Sequence, residues 1–280
     1  MNFLMTGTGA SGSWKIRGEQ LGREIGAKVQ PKALDVGGYH FAIVVKRPPL
    51  DLLERLQKAE VPIVWDVVDA WPQPLGNSWG RSECMAWFRQ SIQRIKPVAI
   101  VAATHAMAED CAEFKVPVIA LPHHGRPGLA RNTIRKEVRC IGYEGGEQYL
   151  GRWSQSLTAE CSRRGWKFVV NPESISDLDI VVALRDWSGY APRHWKSNVK
   201  LANAQASGTP FIGSSEAGYL EMAIQGRERF ANTPYEVSVA LDQLTPYEER
   251  LRVSSSMLVS APRLSDVATK YKQWLKTICE

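Results

Sequence analysis

Twice along the chain, short apolar runs without polar alternation are separated by segments of helical periodicity. This feature most limits what the chain can fold into. In the first half the runs are "FLM", "FAIVV", "PIVWDVV", "VAIVAAT" and "VPVIALP". Between them lie apolar stripes at Trp14, Gly18, Leu21 and Ile25, at Leu50, Leu53 and Leu56 after Pro49, at Met85, Phe88, Ile92 and Ile95 before Pro97, and at Met107, Cys111 and Phe114. Strands that are apolar on both faces and alternate with helices predict a parallel sheet covered on both sides. The second half repeats the pattern with "VRCIGY", "WKFVV", "DIVVAL" and "TPFIGSS", a stripe at Leu150, Trp153, Leu157 and Cys161, and a helix from about Lys196 to Ser207. The expected fold is therefore α/β, with two Rossmann-like doubly wound parallel sheets facing a cleft, and ligands of such folds bind outside the carboxyl ends of the strands.

The stretch "HHGRPGLARNTIRKE" interrupts the rhythm with glycine, proline and basic residues. We place the first domain at 1–125, a linker at 126–136, the second domain at 137–262, and a closing helix at 263–280 that crosses back to the first domain. Val267, Tyr271, Trp274 and Ile278 mark the apolar face of that helix.

A length of 280 residues fits two domains of ordinary size. Hydrophobic residues at 44% and charged residues at 23% are the composition of a globular protein. No apolar run approaches the roughly 20 residues that a membrane helix needs, so no membrane span and a cytoplasmic location are expected. The five cysteines, Cys84, Cys111, Cys140, Cys161 and Cys279, are scattered, none forms a C-x-x-C, and they read as small core hydrophobes. The net charge of +6 favours acidic or phosphorylated partners without naming them.

Gly7, Gly9 and Gly12 spell G-x-G-x-x-G directly after the first apolar run. A nicotinamide site also needs an acidic residue about 20 residues further on. The stretch "AKVQPKALD" offers Val29, Gln30 and Lys32 there, with Asp35 arriving late, which argues against a dehydrogenase.

The second half carries "WKSNVKLANAQASGTPFIGSSEAGYLE". Lys196, Ser197, Asn198 and Lys200 stand at the expected start of a helix, where free N–H groups already favour an anion. Two lysines and two small hydrogen-bonding residues there read as a diphosphate seat. Beyond the strand "PFIG", Glu216 opens a turn and Glu221 follows, either placed to accept the hydroxyls of a ribose or sugar.

These residues resemble the donor domain of GT-B glycosyltransferases with a Lys-Ser-Asn-x-Lys signature, matched at Lys196, Ser197, Asn198, Lys200, Ala206, Gly208, Pro210, Gly218 and Glu221. "IGYEGG" is similar to the glycine turn that opens that domain, "GSWKIRG" to the N-terminal turn and helix, and "VWDVVDAW" to the Asp-rich strand end. "PHHGRP" departs from the Pro-Asn-Gly or Pro-Asp-Gly turn of many members.

The resemblance implies transfer of a sugar from a nucleoside diphosphate sugar, UDP-linked by expectation, to an acceptor hydroxyl, with no metal and no tightly bound cofactor. It implies donor contacts at Gly12, Arg17, Tyr143, Gly145, Gly146, Arg185, Lys196, Ser197, Asn198, Lys200, Glu216, Gly218 and Glu221. Asp66, Asp69 and His124 are the catalytic candidates. The two aspartates read as a general base for an inverting transfer, an acceptor clamp, or plain turn caps. A retaining transfer needs no such base. Arg17 reads as a fork toward a phosphate or carboxylate, or as a solvated helix charge. His123 and His124 sit at the hinge, and His105 reads as a helix cap.

The ten tryptophans are many for this length, and Trp65, Trp71, Trp79 and Trp87 crowd the acceptor side, where they would stack on a sugar or base or fill the core. A saccharide acceptor is expected, or alternatively DNA with hydroxymethylated bases, as in phage-type enzymes of this fold. A DNA acceptor would meet Lys15, Arg17, Arg81, Arg126 and Arg131. A non-catalytic nucleotide-binding protein and a sugar-nucleotide epimerase are the competing readings. The sugar, the stereochemistry and the oligomeric state are not written in the sequence.

Overall fold

The computed structural model describes residues 2–69, 78–186 and 188–278. Trp71 and Cys279 lie outside the described residues. The chain divides into two compact units, one of Met1–His123, Gly189–Ser197 and Leu264–Glu280, the other of His124–Ser188 and Asn198–Arg263.

In the N-terminal unit six parallel strands, β1 (Phe3–Gly7), β2 (Lys28–Val29), β3 (Phe41–Val45), β4 (Ile63–Val68), β5 (Ala99–Ala102) and β6 (Val118–Ala120), lie in the order β2-β1-β3-β4-β5-β6. Side chains of a strand point alternately to opposite faces, and here both sets are buried. Leu4, Ala42, Val44, Ile63, Trp65 and Val67 pack under the helices Leu50–Lys58 and Arg81–Ile95 through Leu53, Leu56, Met85 and Phe88. Phe3, Met5, Phe41, Ile43, Val45 and Val64 form the other face, covered by Trp14, Leu21 and Ile25 and by Val267, Ala268, Tyr271 and Leu275 of the helix Leu264–Thr277. The apolar runs are explained by this double burial. The helix at the chain's end belongs to this first unit, where it covers the sheet.

The C-terminal unit repeats the arrangement with β7 (Cys140–Tyr143), β8 (Lys167–Val170), β9 (Ile180–Ala183), β10 (Phe211–Gly213) and β11 (Arg229–Phe230), all parallel, in the order β11-β10-β9-β7-β8. In both sheets the second strand lies outside the first and the third on its other side. The strand order thus reverses between β1 and β3, and again between β7 and β9. A reversal of this kind is where open α/β sheets bind ligands.

Local structure differs from the sequence expectation at several places. The segment Trp14–Leu21 is a π-helix, continued by the α-helical turn Gly22–Glu24. The helix expected from Lys196 begins at Val199, with Asn198 at its cap, and is preceded by a separate short helix, Tyr190–His194. Thr104, not His105, caps the helix His105–Ala112: its hydroxyl accepts a hydrogen bond from the Met107 amide at 3.0 Å. A threonine in extended backbone just before the first turn is the better cap, because its oxygen reaches the free amide two or three residues on.

Candidate functional site

In the N-terminal unit, three of the four glycines near the first turn are dictated by packing. A Cβ on Gly7 would sit 3.1 Å from the Val45 carbonyl oxygen, one on Gly9 (φ +88°) would sit 2.6 Å from Pro31, and one on Gly18 would lie 2.4 Å from the Trp14 indole. Gly12 is different, because a Cβ there meets nothing within 4 Å. Within the fingerprint, Gly7 and Gly9 are therefore fixed by packing against Val45 and Pro31 and only Gly12 leaves open space, while Gly18, outside the fingerprint, makes room for Trp14.

Arg17 is fully buried. Its guanidinium donates to the Leu121 carbonyl and its Nε lies 3.7 Å from Asp66 Oδ2. Arg17 Nε and Nη1, both Asp66 oxygens and the Tyr271 hydroxyl are buried without hydrogen-bond partners among the described residues. Burial pushes the Asp66 carboxyl above its ordinary range, and the charge of Arg17 only partly opposes this. Burial likewise drives the Tyr271 hydroxyl well up, with the Asp66 charge adding to it. Arg17 and Asp66 thus meet each other inside the unit and are closed to solvent.

Asp69, just past β4, has a different setting. Lys196 donates to its Oδ2 at 2.7 Å, and the Lys46 ammonium lies 2.7 Å from its Oδ1. Burial opposes the charge on Asp69, but the two ammonium groups outweigh it and hold the carboxyl well below the usual range. A carboxylate so stabilised has little affinity for a proton, which weakens it as a general base. The backbone around it is unusual: the ladder between β4 and β5 is irregular at Asp66 and Val68, and both Val68 (φ +55°) and Lys46 (φ +64°) are left-handed. A β-branched residue in that region is an outlier, held only where the surroundings impose it.

In the C-terminal unit the carboxyl ends of β7, β9 and β10 carry a second cluster. Arg185, after β9, pairs through Nε with Glu216 Oε1 at 2.8 Å, with side-chain exposures of 6% and 4%. The Arg185 amide donates to Ser214 Oγ at 3.1 Å, and its guanidinium lies 5.7 Å from the Tyr149 ring centroid. Burial acts against the Arg185 charge, yet Glu216 reverses the balance and holds it above its ordinary value. The other Glu216 oxygen is buried without a hydrogen-bond partner among the described residues.

Next to this pair, Lys200, in the first turn of the helix Val199–Ser207, places its ammonium 3.8 Å from the Tyr143 ring centroid, a cation–π contact. Burial pushes the Tyr143 hydroxyl up to about 12. Gly145 (φ +143°) passes between them: a Cβ there would be 3.1 Å from both Lys200 Nζ and the Tyr143 hydroxyl. Its amide is held by Asn171 Oδ1 at 2.8 Å. Only glycine fits that turn. On the same helix, Asn203 accepts from the Arg126 amide at 2.9 Å and donates to Glu144 Oε2 at 3.2 Å, and Arg126 pairs with Glu144.

Of the residues singled out in the sequence, Tyr143, Gly145 and Lys200 come together, as do Arg185 with Glu216, Arg17 with Asp66, and Lys196 with Asp69. Ser197 and Asn198 are buried, with Asn198 against the Met222 sulfur. Gly146 follows Gly145 in the turn, with its carbonyl accepting from the Tyr143 hydroxyl at 3.3 Å, and Gly218 is buried in the short helix Ala217–Leu220. Glu221 is exposed at the end of that helix, so of the two glutamates it is Glu216 that lies at the buried cluster. His123 and His124 are both buried.

Trp65 is a core residue stacked on Phe88 at 5.0 Å, and Trp79 and Trp87 pack against the same core. Arg81 pairs with Asp110 and Glu113. Lys46, Tyr149, Glu144 and Asn203 escaped the sequence reading. For Lys46 a signal existed, since it is the first charged residue after the buried run of β3. Among the described residues no group of three His, Cys, Asp or Glu could hold a metal ion, and no helix is long and apolar enough to cross a membrane.

No family model matches the sequence, and no curated protein does. Solved structures do. HepE from Anabaena, solved in complex with UDP and glucose, covers 99% of this chain with 100% of its own at a TM-score of 0.68 and 10% identity. Sucrose-phosphate synthase from Thermosynechococcus elongatus covers 99% of both chains at 0.69 and 10% identity. The UDP-forming α,α-trehalose-phosphate synthase of Burkholderia vietnamiensis covers 85% of this chain with 72% of its own at 0.58 and 12% identity. The chain therefore has the two-sheet α/β fold of these structures, the GT-B architecture that its motifs resemble.

Proposed function

We propose that the chain is a glycosyltransferase that moves a sugar from a nucleoside diphosphate sugar to an acceptor hydroxyl without a bound metal. The observation that carries this reading is the buried Arg185–Glu216 pair beside Lys200 and Tyr143 at the carboxyl ends of β7, β9 and β10. It lies at the strand reversal of a fold that HepE shares, and HepE was solved with UDP and with UDP-glucose.

Lys200 and Arg185 would face the diphosphate, where fixed cations stabilise the charge that grows on the leaving group. Glu216 is held by Arg185 through one oxygen, and the other would accept donor hydroxyls, which a buried carboxylate does well only when it is already oriented. In the transfer the acceptor oxygen bonds to the anomeric carbon as the bond from that carbon to the diphosphate oxygen breaks, and the hydroxyl proton passes to the departing diphosphate or to water.

The acceptor reading we carry is a saccharide or another small hydroxyl compound. Three of the five cations that DNA would use are committed elsewhere: Arg17 is buried, and Arg81 and Arg126 sit in ion pairs, which leaves the exposed Lys15 and Arg131. The four described cysteines are free thiols, which fits a reducing, cytoplasmic setting. The test is a calorimetric titration with UDP and with UDP-glucose on the wild type and on Lys200→Met. The expected loss is about tenfold to a hundredfold in UDP affinity, because hydrogen bonds to charged groups contribute roughly 1.5–3 kcal/mol. Equal UDP affinity in the two proteins would remove Lys200 from the donor seat.

A further inference from the structure

The Lys46–Asp69–Lys196 group in the N-terminal unit is not explained by the fold. Two ammonium groups converge on one carboxylate, each at 2.7 Å, and all three side chains are recessed, with exposures of 27%, 10% and 15% for Lys46, Asp69 and Lys196. Asp66, the nearest other acid along the strand, belongs to Arg17 instead. The group thus holds one more positive than negative charge among the described residues.

An ammonium has three donors to place. Lys46 spends one on Asp69 Oδ1 at 2.7 Å and another on Ser13 Oγ, at a long 3.4 Å. Donor capacity therefore remains on Lys46. The positive φ of Lys46 and of Val68 shows that the chain keeps these side chains together against local preference. The site lies at the β1–β3 reversal, where Ser13 follows Gly12 and Gly12 leaves open space.

We propose that Lys46 and Lys196 form a seat for a terminal phosphate on the acceptor, so that the sugar is delivered to a hydroxyl of a small phosphorylated molecule. This rests on the sugar-transfer reading and adds the acceptor class to it. Asp69 then stands in for the ligand in the empty seat: it gathers the two ammonium groups, one 2.7 Å from each of its oxygens, and an incoming phosphate competes with its charge for them. A terminal phosphate dianion matches the one surplus charge plus the unspent donors. The phosphodiester backbone of a polymer needs cations that stand out from the surface, and these do not.

The experiment is a calorimetric titration of the full chain with inorganic phosphate, glucose 6-phosphate and glucose, each without UDP and with saturating UDP. Phosphate and glucose 6-phosphate should bind in both conditions, and the phosphate-free sugar should bind at least tenfold more weakly. Lys46→Asn, a residue that tolerates the left-handed backbone, should weaken phosphate tenfold or more, Lys46→Arg should retain it, and Asp69→Asn should tighten it. Displacement of phosphate by UDP would place the anion in the donor seat and overturn the proposal. So would no binding of phosphate to the wild type, or unchanged binding in Lys46→Asn. Should Lys46→Asn not fold, weaker phosphate binding in Asp69→Asn overturns it equally. UDP binding in the same titrations separates the two readings: a chain that binds UDP but no phosphate loses only the acceptor class, and one that binds phosphate but no UDP loses the sugar-transfer reading.

Discussion

The two sheets share one strand order, yet their carboxyl edges carry opposite charge plans. In the N-terminal unit an acid, Asp69, is the centre and two lysines surround it. In the C-terminal unit an arginine, Arg185, is the centre, flanked by Glu216 and the Tyr149 ring, with Lys200 on Tyr143 beside it. The topology fixes where a site lies. The few residues after each strand fix what it attracts, and each unit must supply the countercharge that makes its own buried ion tolerable.

The sharpest way to break this comparison is to remove one centre. Arg185→Met leaves Glu216 as a buried carboxylate without its partner, and loss of one member of a buried pair costs about 3–5 kcal/mol. A large drop in the denaturant midpoint is expected, whereas a change below about 1 kcal/mol would show the pair to be solvated.

The next effect concerns the two aspartates of one strand end. Asp69 has a depressed folded pKa, so its stabilising contribution is present above its unfolded value of about 3.9 and disappears as pH falls through the folded value. Asp69→Asn should therefore cost about 1.5–3 kcal/mol at pH 7 and progressively less in acid. Asp66 carries the opposite sign: its folded pKa is raised, so its contribution is present below the unfolded value and is lost as pH rises through the folded one. In urea unfolding the wild type should gain stability with rising pH below about 3.9 where Asp69→Asn gains less, while above that value both should decline together as Asp66 ionises; equal slopes below about 3.9 would refute the assignment of Asp69.

A glycine pair within one loop gives a smaller contrast. Gly18→Ala drives a Cβ into Trp14 and should cost about 1–3 kcal/mol, as overpacking does, with a shift in tryptophan emission. Gly12→Ala meets no atom and should leave stability within about 0.5 kcal/mol. Equal costs would mean that the glycines serve the backbone alone.

The smallest change expected is at Tyr271. Its hydroxyl is buried without a partner among the described residues, so Tyr271→Phe should be neutral or stabilising by up to about 1 kcal/mol. A loss above that in thermal unfolding would reveal water bridging Tyr271 to the Arg17–Asp66 pair.

Most strands were legible because burial on both faces writes an unbroken apolar run. β2 and β11 were not, because each is an edge strand of two residues, Lys28–Val29 and Arg229–Phe230, too short to show a pattern. Arg17 is the instructive site residue. One turn into a helix, it has the sequence signature of a solvated charge, and only Asp66 and the Leu121 carbonyl, both distant in the chain, make it a core residue. Glu216 and Lys200 could be read because strand ends and helix starts are where such folds bind ligands. For Lys46 the strand end was a signal of place alone, because its grouping with Lys196 depends on a segment that joins the unit from far along the chain.

That interleaving governs how the protein is made. The N-terminal unit lacks Tyr190–Trp195, which buries Trp195 in its core, and the helix Leu264–Thr277, which covers one face of its sheet, until those segments leave the ribosome. At about 5–20 residues per second, the interval between His123 and Leu264 lasts on the order of ten seconds, during which Trp14, Leu21 and Ile25 are left to cover that sheet face without Val267, Tyr271 and Leu275. The C-terminal unit is complete by Arg263, before the last segment of the N-terminal unit is made, so the order in which the units begin is not the order in which they are completed.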